Sequence, residues 1–339
     1  MVPFAGWEMP VQYSSILEEY RAVREKGGMF DVSHMGEIHV YGEKARDTIS
    51  HVYCNDVSTI IPGQVQYGAI LNDRGGVVDD VTVYCFSEKR YMIVSNAVNY
   101  QRIGQLLQEI KKPGVTVEDQ SDHTALLALQ GPQVQQLLEA RHGPLPTIKR
   151  FHFAEATVAG VPVIISRTGY TGEDGYELYF KPQFAEDLFQ SSIAAGLLPA
   201  GLGARDLLRL EVLYPLWGHE LCEEWTPLES GIGWTFKNPA AELMGRTRLL
   251  EQQSSGLPGR VRPFQLLEAG VPREGYAVYA GEQKIGAVLS GAHSPALRAG
   301  ISTVYVPSGK ESEAISVEIR ERCLPARLLT GPFYRRGTP

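Results

Sequence analysis

Two stretches of this chain repeat one order of elements about 89 residues apart, and an internal repeat of that size commits a fold to two related units. The first stretch reads as a strand over residues 37–41, a helix opening at 42–45, and a strand over 66–71. A Gly-rich turn at 72–76 and a strand over 78–86 complete it. The second begins with a strand over 124–129 and a helix opening at Gly131-Pro132, where the first turn tolerates proline. A strand over 161–166, the turn 169–175 and a strand over 176–180 follow. Helices over 100–110 and 183–195 close the two copies. This is the order of a ferredoxin-like α+β unit, repeated; chance similarity of two ordinary α+β segments is the competing explanation.

After Ser254 the character changes. Ser-Ser-Gly-Leu-Pro-Gly reads as a linker, and glycines at 270, 275, 281, 286, 291 and 300 separate short strands. Evenly spaced short strands suggest a small β-sandwich or barrel as the last unit. The chain has 339 residues, enough for two or three domains. With 32 basic and 39 acidic residues the net charge is −7, so there is no basic footprint for nucleic acid or for an anionic membrane. No apolar run approaches the ~18 residues of a membrane span, and residues 1–10 do not read as a signal peptide. A cytoplasmic location is therefore expected, although a mitochondrial form without its presequence fits as well. Cys54, Cys85, Cys222 and Cys323 are scattered with no C-x-x-C pair, so they are expected to be buried or incidental thiols and no metal is implied.

Strand parity picks out the chemistry. In residues 77–84 one face carries Val77, Asp79, Val81 and Val83, and the other carries Val78, Asp80, Thr82 and Tyr84. The first face is the apolar one, which turns Asp80 away from the core, either to solvent or to a site. In residues 176–180 the apolar face is Tyr176, Leu178 and Phe180, so Glu177 and Tyr179 also point away. If the two units pack with these faces together, acids and aromatics line a central cavity. Such a lining suits a flat heteroaromatic ligand, because carboxylates accept from ring N–H groups and tyrosines stack.

Residues 201–211 read as a turn feeding an amphipathic helix with Leu207, Leu208 and Leu210 inward. Arg205 sits near the helix start, where the dipole offers a cation nothing. Either a ligand carboxylate or a salt bridge to Asp206 or Glu211 accounts for it. His34, beside apolar residues, is a structural histidine or a general base. Phosphate-loop, dinucleotide and nucleophile-elbow motifs do not occur.

Taken in order, the segments 4–13, 29–35, 72–84, 127–132, 166–177 and 201–211, with Arg298 and Phe333-Tyr334-Arg335 in the last unit, resemble the aminomethyltransferase (T-protein) family of the glycine cleavage system. The likeness runs nearly end to end. Relatives usually carry a further segment before Phe4, and residues 237–245 depart from their pattern.

The resemblance implies a three-domain cloverleaf around a central folate cavity. Residues 1–37 with 120–215 would form one domain, 38–119 with 216–258 the second, and 259–339 a C-terminal β domain. It also implies that Asp80 is the essential catalytic aspartate. Met35, Tyr67, Tyr84, Asn96, Tyr170, Glu177, Arg205 and Trp234 would line the tetrahydrofolate site, as would Phe151, at a position often tyrosine in relatives. The implied reaction moves a one-carbon unit from the aminomethyl-lipoyl arm of the H-protein to tetrahydrofolate. Ammonia leaves and 5,10-methylenetetrahydrofolate forms. Two related readings stay open. One is a folate-dependent demethylase of a small methylated donor. The other is a non-enzymatic iron–sulfur assembly factor, disfavoured because residues 167–174 lack the Lys-Gly-Cys-Tyr-x-Gly-Gln-Glu motif of that group.

Overall fold

The computed structural model describes residues 1–238, 240–311 and 314–337. Residues 36–119 build a five-stranded antiparallel sheet. Its spatial order is Val65–Leu71, Val77–Ser87, Arg90–Ser95, Gly36–Tyr41 and Thr116–Asp119. A second, six-stranded sheet has the order Phe153–Val158, Val161–Ser166, Gly175–Phe180, Ala125–Gln130, Gly28–Asp31 and Leu198–Pro199. Each copy runs strand, helix, three strands, helix, strand. That is the expected mixed α+β repeat with one strand more per copy than the ferredoxin-like order.

The extra strands correct one detail of the sequence reading, which passes over Arg90–Ser95 and Phe153–Val158. Arg90–Ser95 follows its neighbour after a two-residue turn at Glu88-Lys89, so the apolar pattern scarcely breaks. Phe153–Val158 is an edge strand with an exposed face, and Glu155 interrupts its run. The Asp80 strand is therefore second in its sheet and the Glu177 strand third, so the two carboxylates do not occupy equivalent places in the repeat. The expected boundary after residue 37 falls inside the strand Gly36–Tyr41. The expected linker is also shorter, because the helix Arg246–Ser255 runs through Ser254 and leaves only Gly256-Leu257-Pro258 before the next strand.

Alternation explains the layering. In the five-stranded sheet Ile38, Val40, Val81, Val83 and Ile93 face the helices Ala45–Ser50 and Tyr100–Ile110, where Ile49, Ile103 and Leu107 complete a core. In the six-stranded sheet Leu127, Leu129, Val163, Ile165, Leu178 and Phe180 do the same against Val134–His142 and Ala185–Ala194. The opposite faces of the two sheets meet each other. Tyr84, Met92 and Val94 from one pack with Phe30, Leu126, Ala128 and Tyr179 from the other. The helix Leu202–Glu211 seals this layer with Ala204, Leu207 and Leu208.

The last unit is a closed six-stranded barrel of Gly259–Leu266, Ala277–Ala280, Gln283–Ser294, Ala299–Pro307, Ile315–Ile319 and Arg322–Leu328. Register shifts at Val278/Tyr279 and Val288/Gly291 bend its strands enough to close the ring. Two buried charge clusters join it to the rest. Arg209 meets Glu220 at 2.9 Å and Ser290 Oγ at 2.7 Å. Glu211 accepts from Ser294 Oγ at 2.6 Å and pairs with Arg24 at 2.8 Å. The Arg24 guanidinium in turn lies 4.0 Å from the centre of the Tyr334 ring. No helix among the described residues is long and apolar enough to cross a membrane. All four cysteines are free thiols; Cys54 and Cys85 are buried, and Cys323 is exposed.

Candidate active site

Between the two sheets lies a cavity of about 550 Å³. Nine of the ten residues singled out from the sequence line it: Met35, Tyr67, Asp80, Asn96, Phe151, Tyr170, Glu177, Arg205 and Trp234. They come from both sheets, from the connecting segments and, for Arg205, from the helix Leu202–Glu211, so only the assembled sandwich presents them together. Tyr84 does not line the cavity. It shares the Asp80 face, as parity requires, but lies deeper in the inter-sheet layer, where it is fully buried.

Asp80 is held from two sides. Its Oδ2 accepts from the Tyr67 hydroxyl at 2.9 Å and its Oδ1 from Asn96 Nδ2 at 2.8 Å. The neighbouring Asp79 turns to the other face and is wholly buried. It accepts from the Asn96 backbone N–H at 2.9 Å, from Asn96 Nδ2 at 2.9 Å and from Asn99 Nδ2 at 2.8 Å. Burial pushes both carboxyls above the ordinary carboxylate range. The Asp80 charge pushes Asp79 further up, while Tyr67, Asn96 and the Arg205 charge pull Asp80 back toward its ionised form. Asp80 is thus a carboxylate poised to take a proton or to hold a developing positive charge at the cavity wall.

Glu177 faces Asp80's sheet from the opposite wall. Burial raises its pKa, and a hydrogen bond from the Thr168 hydroxyl and the Arg205 charge oppose that rise. Behind it runs a chain of hydroxyls. Thr168 meets Ser166 at 2.8 Å, Ser166 meets Tyr84 at 3.2 Å, and Tyr84 meets Tyr179 at 2.8 Å. Tyr84 therefore acts at one remove, as a strut under Thr168 and Glu177. The turn that joins the Ser166 and Glu177 strands and carries Thr168 is tight: Gly172 has φ +80°, and a Cβ there would stand 2.4 Å from Val212 Cγ1.

Arg205 resolves the alternative left open by the sequence. Asp206 pairs with Arg209 at 2.7 Å, and Glu211 is taken by Tyr20 and Arg24. Neither acid binds Arg205, which forms no ion pair among the described residues; its guanidinium lies 4.8 Å from the Tyr170 ring centre at the cavity wall. A solvated or ligand-facing cation of this kind suits an anionic substrate group. Two aromatic pairs flank the opening. Tyr67 and Trp234 stack at 5.8 Å and 25°, with Trp234 59% exposed, and Tyr170 and Tyr214 approach to 5.9 Å. The Tyr170 hydroxyl donates to the Pro215 carbonyl.

The sequence reading did not include Thr168, Gln130, Tyr214 or Arg150 among the cavity residues. Gln130 receives the Thr171 hydroxyl at 2.9 Å and donates to the Thr168 carbonyl at 3.1 Å, which fixes the loop under Glu177. A glutamine ending an otherwise apolar strand was the available signal.

Comparison with known proteins identifies the family. The model of the GCVT N-terminal domain matches residues 1–239, and that of the glycine cleavage T-protein C-terminal barrel domain matches residues 260–335. The aminomethyltransferase of Leptospira interrogans is 44% identical, covering 98% of this chain and 93% of that protein. That of Halothermothrix orenii is 42% identical over 98% of this chain and 95% of its own length. The crystal structure of glycine cleavage system aminomethyltransferase T from Bartonella henselae superposes with a TM-score of 0.92 at 30% identity, covering 99% of this chain and 94% of that one. On these grounds the chain belongs to the aminomethyltransferase (T-protein) family of the glycine cleavage system and is an enzyme of the one-carbon transferase class.

Proposed function

We propose that this enzyme transfers the one-carbon unit of an aminomethyl-lipoyl H-protein to tetrahydrofolate, releasing ammonia and forming 5,10-methylenetetrahydrofolate. The observation that supports this most directly is Asp80, a half-buried carboxylate fixed by Tyr67 and Asn96 at the wall of a cavity rich in aromatic rings. The cavity residues fit a reduced pterin. Glu177 offers oxygens to ring N–H donors, and the tyrosines and Trp234 offer stacking faces. Arg205 offers a cation to a carboxylate of either substrate.

In this reading a folate nitrogen forms a bond to the donor methylene as the bond from that carbon to the amine breaks, and the amine departs as ammonia. Ring closure then forms the second carbon–nitrogen bond and releases the donor sulfur as a thiol. The two protons lost from the folate nitrogens equal those gained by the amine and the sulfur. Asp80 would accept and return such a proton and stabilise the positive charge on nitrogen. The two sheets hold large reactants in register and keep water from the reactive carbon.

The test is ammonia release from aminomethylated H-protein, with and without tetrahydrofolate. Fast release that needs both the folate and this protein is the expected result. Absence of release from protein that still binds tetrahydrofolate would overturn the reading in favour of a demethylase acting on another donor.

A further inference from the structure

Four hydroxyls stand in single file behind Glu177, and their protons have one consistent order. Strand register begins the file. Ser166 is the cross-strand partner of Glu177, while Ala128, the partner on the other side, offers no polar side chain. Thr168 follows Ser166 into the turn, Tyr179 lies two residues beyond Glu177 on the same face, and Tyr84 reaches across from the opposite sheet. Ser166 and Tyr84 are fully buried and do not line the cavity.

A hydroxyl has one proton to give. The Thr168 proton goes to a Glu177 oxygen, so Ser166, 2.8 Å away, donates to Thr168. Tyr84 donates to Ser166 at 3.2 Å and therefore accepts from Tyr179 at 2.8 Å. Every proton in the file points toward Glu177. Each hydroxyl polarises the next, and the sum acts on an ionised carboxylate. A protonated Glu177 that donated back to Thr168 would turn the whole file, against the direction of the bond from Tyr84 to Ser166.

The charges around Glu177 leave work for this file. Burial opposes ionisation of Glu177, and the Thr168 hydroxyl and the Arg205 charge oppose burial. Glu37, facing it from the strand Gly36–Tyr41, is itself driven by burial toward its neutral form, and burial keeps Tyr84 and Tyr179 neutral as well. Arg205 is thus the cation that assists, and the hydroxyls supply the rest.

We propose that Ser166 and Tyr84, with Tyr179 behind them, are positioning residues that act through Thr168 to keep Glu177 an ionised, acceptor-only carboxylate, so that the pocket takes a ligand edge made of N–H donors. The proposal rests on Glu177 meeting the reduced pterin, as put forward above, and adds what holds it in the form that does so.

Ser166→Ala breaks the file next to Thr168, at a residue outside the cavity lining. Tyr84, 3.4 Å from Thr168, replaces the lost contact only weakly. Losing a donor favours the protonated acid, so tetrahydrofolate binding should weaken earlier on acidification. The limb in a plot of Kd against pH should move up by about 0.5–1 pH unit. On the alkaline side of the limb the two Kd values should agree within about twofold, because the carboxylate is ionised in both proteins. Titration of the ligand's own nitrogens is common to both and cancels in the comparison. A Kd raised equally at every pH is what a merely structural role gives, and it would overturn the proposal, as would a Kd unchanged throughout. Tyr84→Phe keeps the ring, should shift the limb in the same direction, and decides the matter if the alanine variant does not fold.

Glutamate labelled with ¹³C at the side-chain carboxyl separates this network from the folate reading. The Glu177 signal, assigned by its loss in Glu177→Gln, should titrate at higher pH in Ser166→Ala than in the wild type, with no ligand present. An unmoved titration in enzyme that binds tetrahydrofolate and turns over overturns the network and leaves the transfer reaction standing. A titration that moves, in protein that binds no tetrahydrofolate, supports the network while the folate reading fails.

Discussion

Asp79 and Asp80 are adjacent in the chain and face opposite sides of one strand, yet both accept from the same amide nitrogen of Asn96, at 2.9 and 2.8 Å. One side chain thus couples a wholly buried carboxyl to one at the cavity wall. Each acid has its own further partners: the Asn96 backbone and Asn99 for Asp79, and Tyr67 for Asp80. In the proposed reaction, this division of partners separates a structural acid from a reactive one.

Asp80→Asn keeps the shape of the side chain and removes the charge and the basic oxygen. Folding and tetrahydrofolate binding should be retained, and turnover should fall by about 10²–10⁴-fold, the usual contribution of a positioned general base. Ammonia release from the aminomethylated donor, with folate binding followed in parallel, measures both. Near-normal turnover would remove Asp80 from the reaction.

Asp79→Asn should do the reverse. Three N–H groups converge on the Asp79 carboxylate, and an amide leaves one accepting oxygen for all of them. The expected loss is about 1–3 kcal/mol of stability, seen as a lower melting temperature, with kcat/KM changed less than about tenfold. A large loss of turnover at an unchanged melting temperature would exchange the roles of the two aspartates.

The pH profile reports on the Tyr67 hydroxyl. Asp80 must be ionised to act, and burial raises its pKa, so activity should fall on acidification through a limb that lies above the ordinary carboxylate range. The Tyr67 hydroxyl donates to the ionised form and therefore lowers that pKa. Tyr67→Phe preserves the ring that stacks on Trp234 and deletes the hydrogen bond. Its acid limb should move to higher pH. A limb that stays in place or moves down in plots of kcat/KM against pH would contradict the arrangement.

How far the site can be read from the chain depends on the range of the interactions. Asp80 and Glu177 are legible because strand period two is local: two apolar neighbours on alternating positions fix which way each carboxylate turns. The barrel and the repeat are legible from turn spacing for the same reason. The freedom of Arg205 is not, since it depends on Glu211 meeting Arg24, 187 residues away in sequence, and on Asp206 choosing Arg209. Tyr84 shows the same limit. Parity gives its face correctly, but only packing against Tyr179 and Phe153 decides that it lies under the cavity wall instead of forming it. The strand count fails where Arg90–Ser95 follows its neighbour across two residues, because hydrophobicity alone cannot mark so short a turn.

Arg209 offers a test of how the barrel is held. It is 1% exposed and meets Glu220, Ser290 and the Tyr214 carbonyl, so it spans from the cavity-sealing helix to the barrel. Burial alone would raise the Glu220 pKa; the Arg209 charge, with help from Thr303, Ser290 and the Leu216 N–H, holds it below the ordinary value. Arg209→Met leaves that carboxylate buried without its cation, which costs about 3–5 kcal/mol. The sign of the pH dependence follows from the depressed pKa. In the wild type the stabilisation is present above the unfolded glutamate value of about 4.3 and is lost as pH falls through the lower folded value. In the variant Glu220 is no longer depressed and takes up a proton at higher pH, so acidification should relieve its burial. The gap in melting temperature between variant and wild type should therefore be widest near neutral pH and narrow toward pH ~5. Arg209→Met combined with Glu220→Gln should recover part of the loss, because no uncompensated charge remains. A single variant that melts like the wild type at neutral pH would show that this ion pair does not hold the barrel in place.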